Sequence, residues 1–209
     1  MRLFTILLLC TFLFFSCNTE NSETEPSSEV DPVAFELNNS AMERYQHILL
    51  GFYETGINDS LELSLEEINK AINLEPSQSN FYSNKSKILL ELERDREAIR
   101  VLQKTISIEP NFAEALTTVG FIYERFGESG EAQKWFSRAI NAYEKRIEED
   151  RLVVNSKVNK VFLLLFTENK EIAMRAYKEL KKEYPDDSEV EFMEQILTNF
   201  DKEEFLSEI

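Results

Sequence analysis

The residues of this 209-residue chain that could do acid–base chemistry are one histidine and many carboxylates. His47 is the only histidine, and its neighbour Ile48 belongs to an apolar helical stripe, which favours a partly buried structural side chain over a catalytic base. The adjacent acidic pairs that could form acid/base dyads or cation sites are Glu66–Glu67, Glu148–Glu149 and Asp186–Asp187. Among 39 Asp and Glu residues, such pairs are typical of a solvated face.

Other catalytic and cofactor-binding arrangements need residues that the sequence lacks. A Ser/His/Asp triad, a Cys/His pair or a histidine-based metal cluster would each need further partners. The five glycines lie apart, and Gly127 and Gly130 bound a turn rather than a phosphate-binding loop. We therefore predict no catalytic residue, no metal ligand, no cofactor and no enzymatic activity.

The net charge of −16 argues against nucleic acid as a partner. An acidic surface repels phosphate and favours basic or neutral partners. Anionic lipid head groups would be repelled for the same reason.

The N-terminal segment carries a different kind of chemistry. Arg2 is followed by an apolar run of about thirteen residues, which is too short for a membrane span and typical of the central region of a signal peptide. The run ends at Phe14-Phe15-Ser16-Cys17, which resembles the lipobox of bacterial lipoproteins. That resemblance implies cleavage after Ser16 and attachment of a lipid to the thiol of Cys17, although Phe14 departs from the commoner leucine.

We therefore interpret residues 1–16 as a lipoprotein signal peptide. The lipid would anchor the protein to a membrane of the bacterial cell envelope, with the outer membrane favoured and the domain facing the periplasm or the cell surface. The alternative is an ordinary secretory signal in which Cys17 is incidental. The other cysteine, Cys10, would leave with the signal, so we predict no disulfide. Residues 17–36 are polar and acidic after the lipidated cysteine, and we expect a flexible tether there.

Between residues 78 and 142 a pattern of about thirty-four residues occurs twice, each time as two amphipathic segments joined by a polar turn. Small residues occupy the places where the two helices of a hairpin must approach closely. Larger side chains fill the space between hairpins. The positions that carry the pattern are Tyr82, Ser86, Leu89, Ala98, Leu102 and Pro110 in the first copy and Leu116, Val119, Gly120, Tyr123, Ala132, Phe136 and Ala139 in the second. The pattern resembles the tetratricopeptide repeat.

Looser copies flank these two. Pro76 precedes Pro110 by one repeat length, which predicts an earlier hairpin in which Ser60 caps the second helix. The predicted repeats are residues 41–78, 79–112, 113–146 and 154–187, followed by a capping helix over 188–200 and a frayed acidic end over 201–209. The expected fold class is all-α, a right-handed α-solenoid of about four tetratricopeptide-like hairpins with a C-terminal capping helix, over residues 37–209.

The resemblance also implies a binding groove lined by the first helix of each hairpin. The family's groove positions fall on Ser83, Lys87 and Glu91 in the second repeat, on Glu114, Thr117, Phe121, Glu124 and Arg125 in the third, and on Val158, Phe162 and Phe166 in the fourth. If exposed, the aromatic side chains would suit an extended or helical peptide with apolar anchors and basic residues. The alternative is that the continuous apolar run over residues 161–166 is buried on all sides.

These features favour a non-catalytic protein–protein interaction scaffold or assembly factor. An accessory lipoprotein that binds a solute or glycan in the groove is the first alternative, and an enzyme with a carboxylate pair is the second. The oligomeric state stays open.

Overall fold

The computed structural model describes residues 30–53 and 55–209. Within these ranges the chain forms ten α-helices and no β-strand. The helices are α1 (Pro32–Leu49), α2 (Ile57–Leu74), α3 (Ser79–Glu91), α4 (Asp95–Ile108), α5 (Ala113–Arg125), α6 (Ser129–Glu148), α7 (Val153–Thr167), α8 (Lys170–Glu183), α9 (Ser188–Asn199) and α10 (Lys202–Glu208). The described residues form two compact units, 30–110 and 111–209. The predicted fold class, an all-α array of helical hairpins, is confirmed.

The first unit consists of the hairpins α1–α2 and α3–α4. Helix α1 begins at Pro32 rather than near Leu37, which corrects the expected end of the tether. The Asp31 carboxylate accepts hydrogen bonds from the backbone N–H groups of Val33 and Ala34, and Pro32 occupies the first turn. Both features stabilise a helix start. Ala34 is then buried, so residues 32–36 belong to the folded domain.

The turn between α1 and α2 also differs from the prediction. Helix α2 begins at Ile57 after Gly56, whose φ of 72° is readily adopted only by glycine among common residues. Ser60 therefore lies inside the first turn of α2, where its N–H bonds the carbonyl of Gly56, and it is not the cap.

The second unit contains the hairpins α5–α6 and α7–α8, followed by α9 and α10. In the first hairpin, Gly120 faces the ring of Phe136, and both residues lie where the two helices approach closely. Helix α6 continues to Glu148, two residues beyond the predicted end of the repeat at residue 146.

The end of the chain is helical rather than frayed. Asp201 caps α10 by accepting a hydrogen bond from the N–H of Glu204 at 2.8 Å. Phe205 is 5% exposed and packs into the second unit. Burial of this one large apolar side chain is the reason that an acidic tail becomes ordered.

Candidate functional site

The predicted groove residues of the first unit lie on α3. Ser83 and Lys87 are buried, whereas Glu91 is exposed. The ammonium group of Lys87 donates to the side-chain oxygen of Asn84 at 3.3 Å, and Asn84 donates to Asn38 on α1 at 3.0 Å. Lys87 is therefore part of a polar network within this unit.

The predicted aromatic residues of the second unit come together between α5 and α7. The ring centroid of Phe121 lies 6.0 Å from that of Phe162 and 4.9 Å from that of Phe166. These three side chains are 2%, 1% and 5% exposed, respectively. Of the two alternatives left by the sequence, burial is the one that the structure shows, so these three rings form no exposed aromatic surface.

Helix α10 and the residue just before its cap cover this aromatic cluster. The ring of Phe205 lies 5.1 Å from Phe121, 5.4 Å from Phe162 and 5.5 Å from Phe166, between ring centroids. Phe200 adds contacts to Phe162 at 5.8 Å and to Phe166 at 5.5 Å. Tilted and edge-on pairs of this kind contribute about 0.5–1.5 kcal/mol each beyond their buried area.

A buried acidic side chain adjoins the aromatic cluster. Glu124, on α5, is 7% exposed, and its Oε1 accepts hydrogen bonds from the ammonium group of Lys202 and from the hydroxyl of Ser129. Its Oε2 is buried and has no hydrogen-bond partner among the described residues. Lys202 also places its ammonium group 5.6 Å from the ring centroid of Phe166. We call Phe121, Glu124, Phe162 and Phe166 the α10-binding face.

The remaining predicted groove residues do not contribute to an open surface. Thr117 and Val158 are buried, and Arg125 is half-buried. Glu114 forms a two-pronged ion pair with Arg146 of α6, at 2.5 and 2.7 Å, with side-chain exposures of 9% and 11%. This pair links the first turn of α5 to the last turn of α6.

A second acidic side chain lies where α7 meets α9. Asn155 donates its amide to Oε2 of Glu189 at 3.2 Å. Burial raises the pKa of Glu189, the hydrogen bond from Asn155 opposes that shift, and the nearby charge of Asp187 adds to it. These contacts belong to the packing between α7 and α9, so they are assigned a structural role.

Two of the residues considered for acid–base chemistry, Glu67 and His47, take part in structural contacts. Glu67 accepts two hydrogen bonds from the guanidinium of Arg44, at 2.8 and 3.2 Å, and these hold the pKa of Glu67 below its ordinary value. His47 contacts the ring of Phe52 edge-on at 5.3 Å. Within residues 30–53 and 55–209, no three His, Cys, Asp or Glu side chains are grouped so as to hold a metal ion.

Cys17 lies outside the described residues, so its lipidation stays a prediction. None of the helices in the described part of the chain combines the length and apolar character needed to cross a membrane.

Sequence reasoning missed the contacts that three later residues make with the α10-binding face. Phe200, Lys202 and Phe205 fall in or beside a segment that its many acidic residues mark as frayed. Two signals indicate that this segment is ordered and partly buried, although they do not identify what it contacts. Asp201 and Glu204 have the spacing of a helix-capping box, and two phenylalanines in a polar tail indicate burial against something.

Comparisons with known proteins agree with this architecture. Residues 79–112, which form α3 and α4, match the tetratricopeptide repeat family model. Anaphase-promoting complex subunit 3 of Schizosaccharomyces pombe is 28% identical over 149 residues, which are 71% of this chain and 21% of that protein. The chain thus spans about a fifth of the length of that curated relative.

A solved structure supports the fold, and a second one is similar to this chain at a lower score. A thermophilic TPR protein of Thermus thermophilus is similar with a TM-score of 0.52 and 14% identity, covering 80% of this chain and all of that one. YrrB, described as a TPR protein with an unusual peptide-binding site, is similar over 77% of this chain and 84% of its own, with a TM-score of 0.43 and 18% identity. Together with the repeat spacing and the helical hairpins, the family match shows that residues 79–112 form a tetratricopeptide repeat, flanked by hairpins of similar layout.

Proposed function

We propose that this chain is a non-catalytic scaffold or assembly factor that binds a protein partner at the bacterial cell envelope. Its fold is typical of protein–protein interaction scaffolds, and tetratricopeptide-repeat proteins are generally non-catalytic. The fold supports only the general class, a protein-binding scaffold. We propose in addition that the partner is a protein and that the chain is located at the cell envelope.

The observation that carries the proposal is the way α5 and α7 hold α10. A short helix is bound through an aromatic anchor, Phe205, and a cation, Lys202, that meets the buried carboxylate of Glu124. Helix-in-groove recognition of peptides uses the same combination of apolar anchors and a few polar contacts. A partner segment with apolar anchors and basic residues would therefore suit these hairpins.

Attachment to the membrane would come from the lipid on Cys17. A chain of net charge −16 gains nothing from anionic head groups, so binding depends on acyl chains, of which two or more are needed for stable anchoring. The acidic segment after Cys17 would hold the domain off the bilayer. We place the protein at the outer membrane, facing the periplasm or the cell surface.

A solute- or glycan-binding role is the less favoured alternative. That role depends on groove aromatics with accessible faces, and Phe121, Phe162 and Phe166 are buried under α10. A protein partner that replaces a helix needs no such exposed rings.

Anchoring is tested by fractionating cells that produce the native chain or a Cys17→Ser variant. We expect the native chain in the membrane fraction, with a mass increase at its N-terminal cysteine, and the variant in the soluble fraction or uncleaved. Equal distribution of both forms, without a mass increase, would overturn the lipid anchor.

Partner binding is tested by placing photo-crosslinking amino acids at exposed positions of each unit in intact cells. Phe52 and Phe126 are suitable because both side chains are exposed. We expect one envelope protein to be crosslinked reproducibly by the anchored protein. If no protein is crosslinked from either unit, while a small molecule co-purifies, the scaffold proposal fails.

A further inference from the structure

We propose that α10 is a displaceable internal ligand of the α10-binding face. We further propose that the external ligand of this face is a helical peptide with an arginine three residues before a phenylalanine. The inference rests on the proposed function, since it names the class of peptide that the protein partner presents.

Helix α10 has the features of a bound peptide rather than of a core helix. It is seven residues long and follows α9 after only Phe200 and Asp201. Phe205 is its one buried side chain among residues 202–207, and Glu203, Glu204 and Ser207 are exposed. Because so short a helix is unstable in isolation, its order depends on docking. Release of α10 would therefore be a local event rather than global unfolding.

The carboxylate of Glu124 points to a ligand that donates to both of its oxygens, whereas Lys202 donates only to Oε1. Only Oε1 receives hydrogen bonds from the described residues, and Oε2 is buried without one. A lysine is a compact point charge, whereas the planar guanidinium of arginine presents two parallel N–H groups to both oxygens of a carboxylate. An arginine ligand would therefore supply the buried Oε2 with the donor that the internal lysine does not give it.

The spacing within α10 defines the rest of the motif. Lys202 and Phe205 are three residues apart, so both side chains lie on the same face of the helix. That face contacts Glu124 with the cation and Phe121, Phe162 and Phe166 with the ring. An external helix must reproduce this pair of side chains to bind the same face.

The experiment uses the full chain and a fluorescent peptide of residues 200–209 in which Lys202 is replaced by Arg. Binding is measured by anisotropy to the native chain and to a Lys202→Ala/Phe205→Ala variant whose own α10 no longer docks. If α10 occupies the face in about nine molecules out of ten, we expect the native chain to bind the peptide about tenfold more weakly than the variant does. The peptide with the natural lysine should bind more weakly than the arginine peptide, and one with Phe205→Ala should not bind.

Two controls accompany the titration. The first control is the Glu203→Ala variant, which is changed at an exposed residue of the same helix. It should bind the peptide with the same affinity as the native chain. Glu124→Gln in the opened variant should remove the preference for arginine over lysine. Circular dichroism melting verifies that each variant is folded.

Hydrogen exchange of the native chain keeps the proposal testable if the opened variant does not fold. The amides of α10 should exchange faster than those of α5, and saturating arginine peptide should accelerate them while α5 stays protected. Exchange of α10 as slow as that of α5 would mean that α10 is a permanent part of the core, which overturns the proposal.

Other results also count against the proposal. If the opened variant is folded and binds no peptide, the face has no external peptide ligand. If that variant instead forms concentration-dependent dimers that exclude the peptide, the external occupant is a second copy of the chain. Either result leaves the scaffold function standing when crosslinking in cells captures an envelope protein, so the two failures are distinguishable.

Discussion

Gly120 of α5 lies directly against the aromatic ring of Phe136 of α6. A Cβ atom built on Gly120 would be 2.5 Å from Cδ1 of that ring, closer than real Cβ contacts allow. Phe136 is fully buried and also contacts Phe121 and Phe166, at 5.3 and 5.5 Å between ring centroids. The hairpin therefore needs glycine at position 120 for packing, although glycine lowers intrinsic helix stability.

Gly120→Ala should therefore destabilise the second unit, in spite of the gain in helix propensity of about 1 kcal/mol. Forcing an extra methyl group into a packed core typically costs about 1–3 kcal/mol, and the ring of Phe136 has buried neighbours that restrict its movement. Urea unfolding followed by circular dichroism measures the change. Gly130→Ala is the matched control, because a Cβ there meets nothing within 4 Å; it should be neutral or slightly stabilising. Equal effects of the two substitutions would show that the ring moves aside freely.

The ion pair between Glu114 and Arg146 should matter more than the ion pairs on the surface. Both side chains are nearly buried, and Glu114→Gln would remove the charge that Glu114 presents to the guanidinium of Arg146. The expected loss in the free energy of unfolding is about 3 kcal/mol. Glu179→Gln, which breaks the exposed pair with Lys182, should cost less than about 1 kcal/mol. A double-mutant cycle with Arg146→Met isolates the coupling, and a coupling near zero would contradict this assignment.

Tyr177 should make stability depend on alkaline pH. Its hydroxyl donates to Oε2 of Glu194 at 3.1 Å; burial, then this hydrogen bond, raises the pKa of Tyr177 to about 12. Because the neutral form is favoured in the folded state, the associated stability is fully present below the ordinary pKa of 10.0 and is lost as pH rises towards about 12. Unfolding curves should therefore show a steeper alkaline decline for the native chain than for Tyr177→Phe. A similar decline in both proteins would rule out this tyrosine as the cause.

Glu67 should make the free energy of unfolding depend on acidic pH, because its pKa is lowered where that of Tyr177 is raised. Hydrogen bonds from Arg44 hold its pKa below the ordinary value of 4.5 in the folded state. The stabilisation is present above the unfolded pKa and is lost as pH falls through the folded one. Glu67→Gln should therefore flatten part of the acid decline in the free energy of unfolding, measured between about pH 6 and about pH 3, a range that spans the ordinary carboxylate pKa. Glu66→Gln, beside it in the sequence and more exposed, provides the comparison, and an equal flattening in both variants would contradict the role of Arg44.

The sequence by itself determined the class of structure and the pairing of helices into hairpins. The small residues Gly120 and Ala132, the repeat length between Pro76 and Pro110, and the apolar periodicity are local signals, and they recur because each hairpin solves the same packing problem. The continuation of α6 to Glu148 also follows from the sequence, because residues 141–148 contain no glycine or proline to end the helix.

The tertiary structure alone decided which aromatic side chains are accessible. Periodicity places Phe121, Phe162 and Phe166 on the first helices of two hairpins, but it contains no information on whether a distant segment returns to cover them. Phe205 does so from the far end of the chain, and Lys202 brings the charge that meets Glu124. A contact between residues 78 positions apart depends on the path of the whole chain, so no local pattern could predict it.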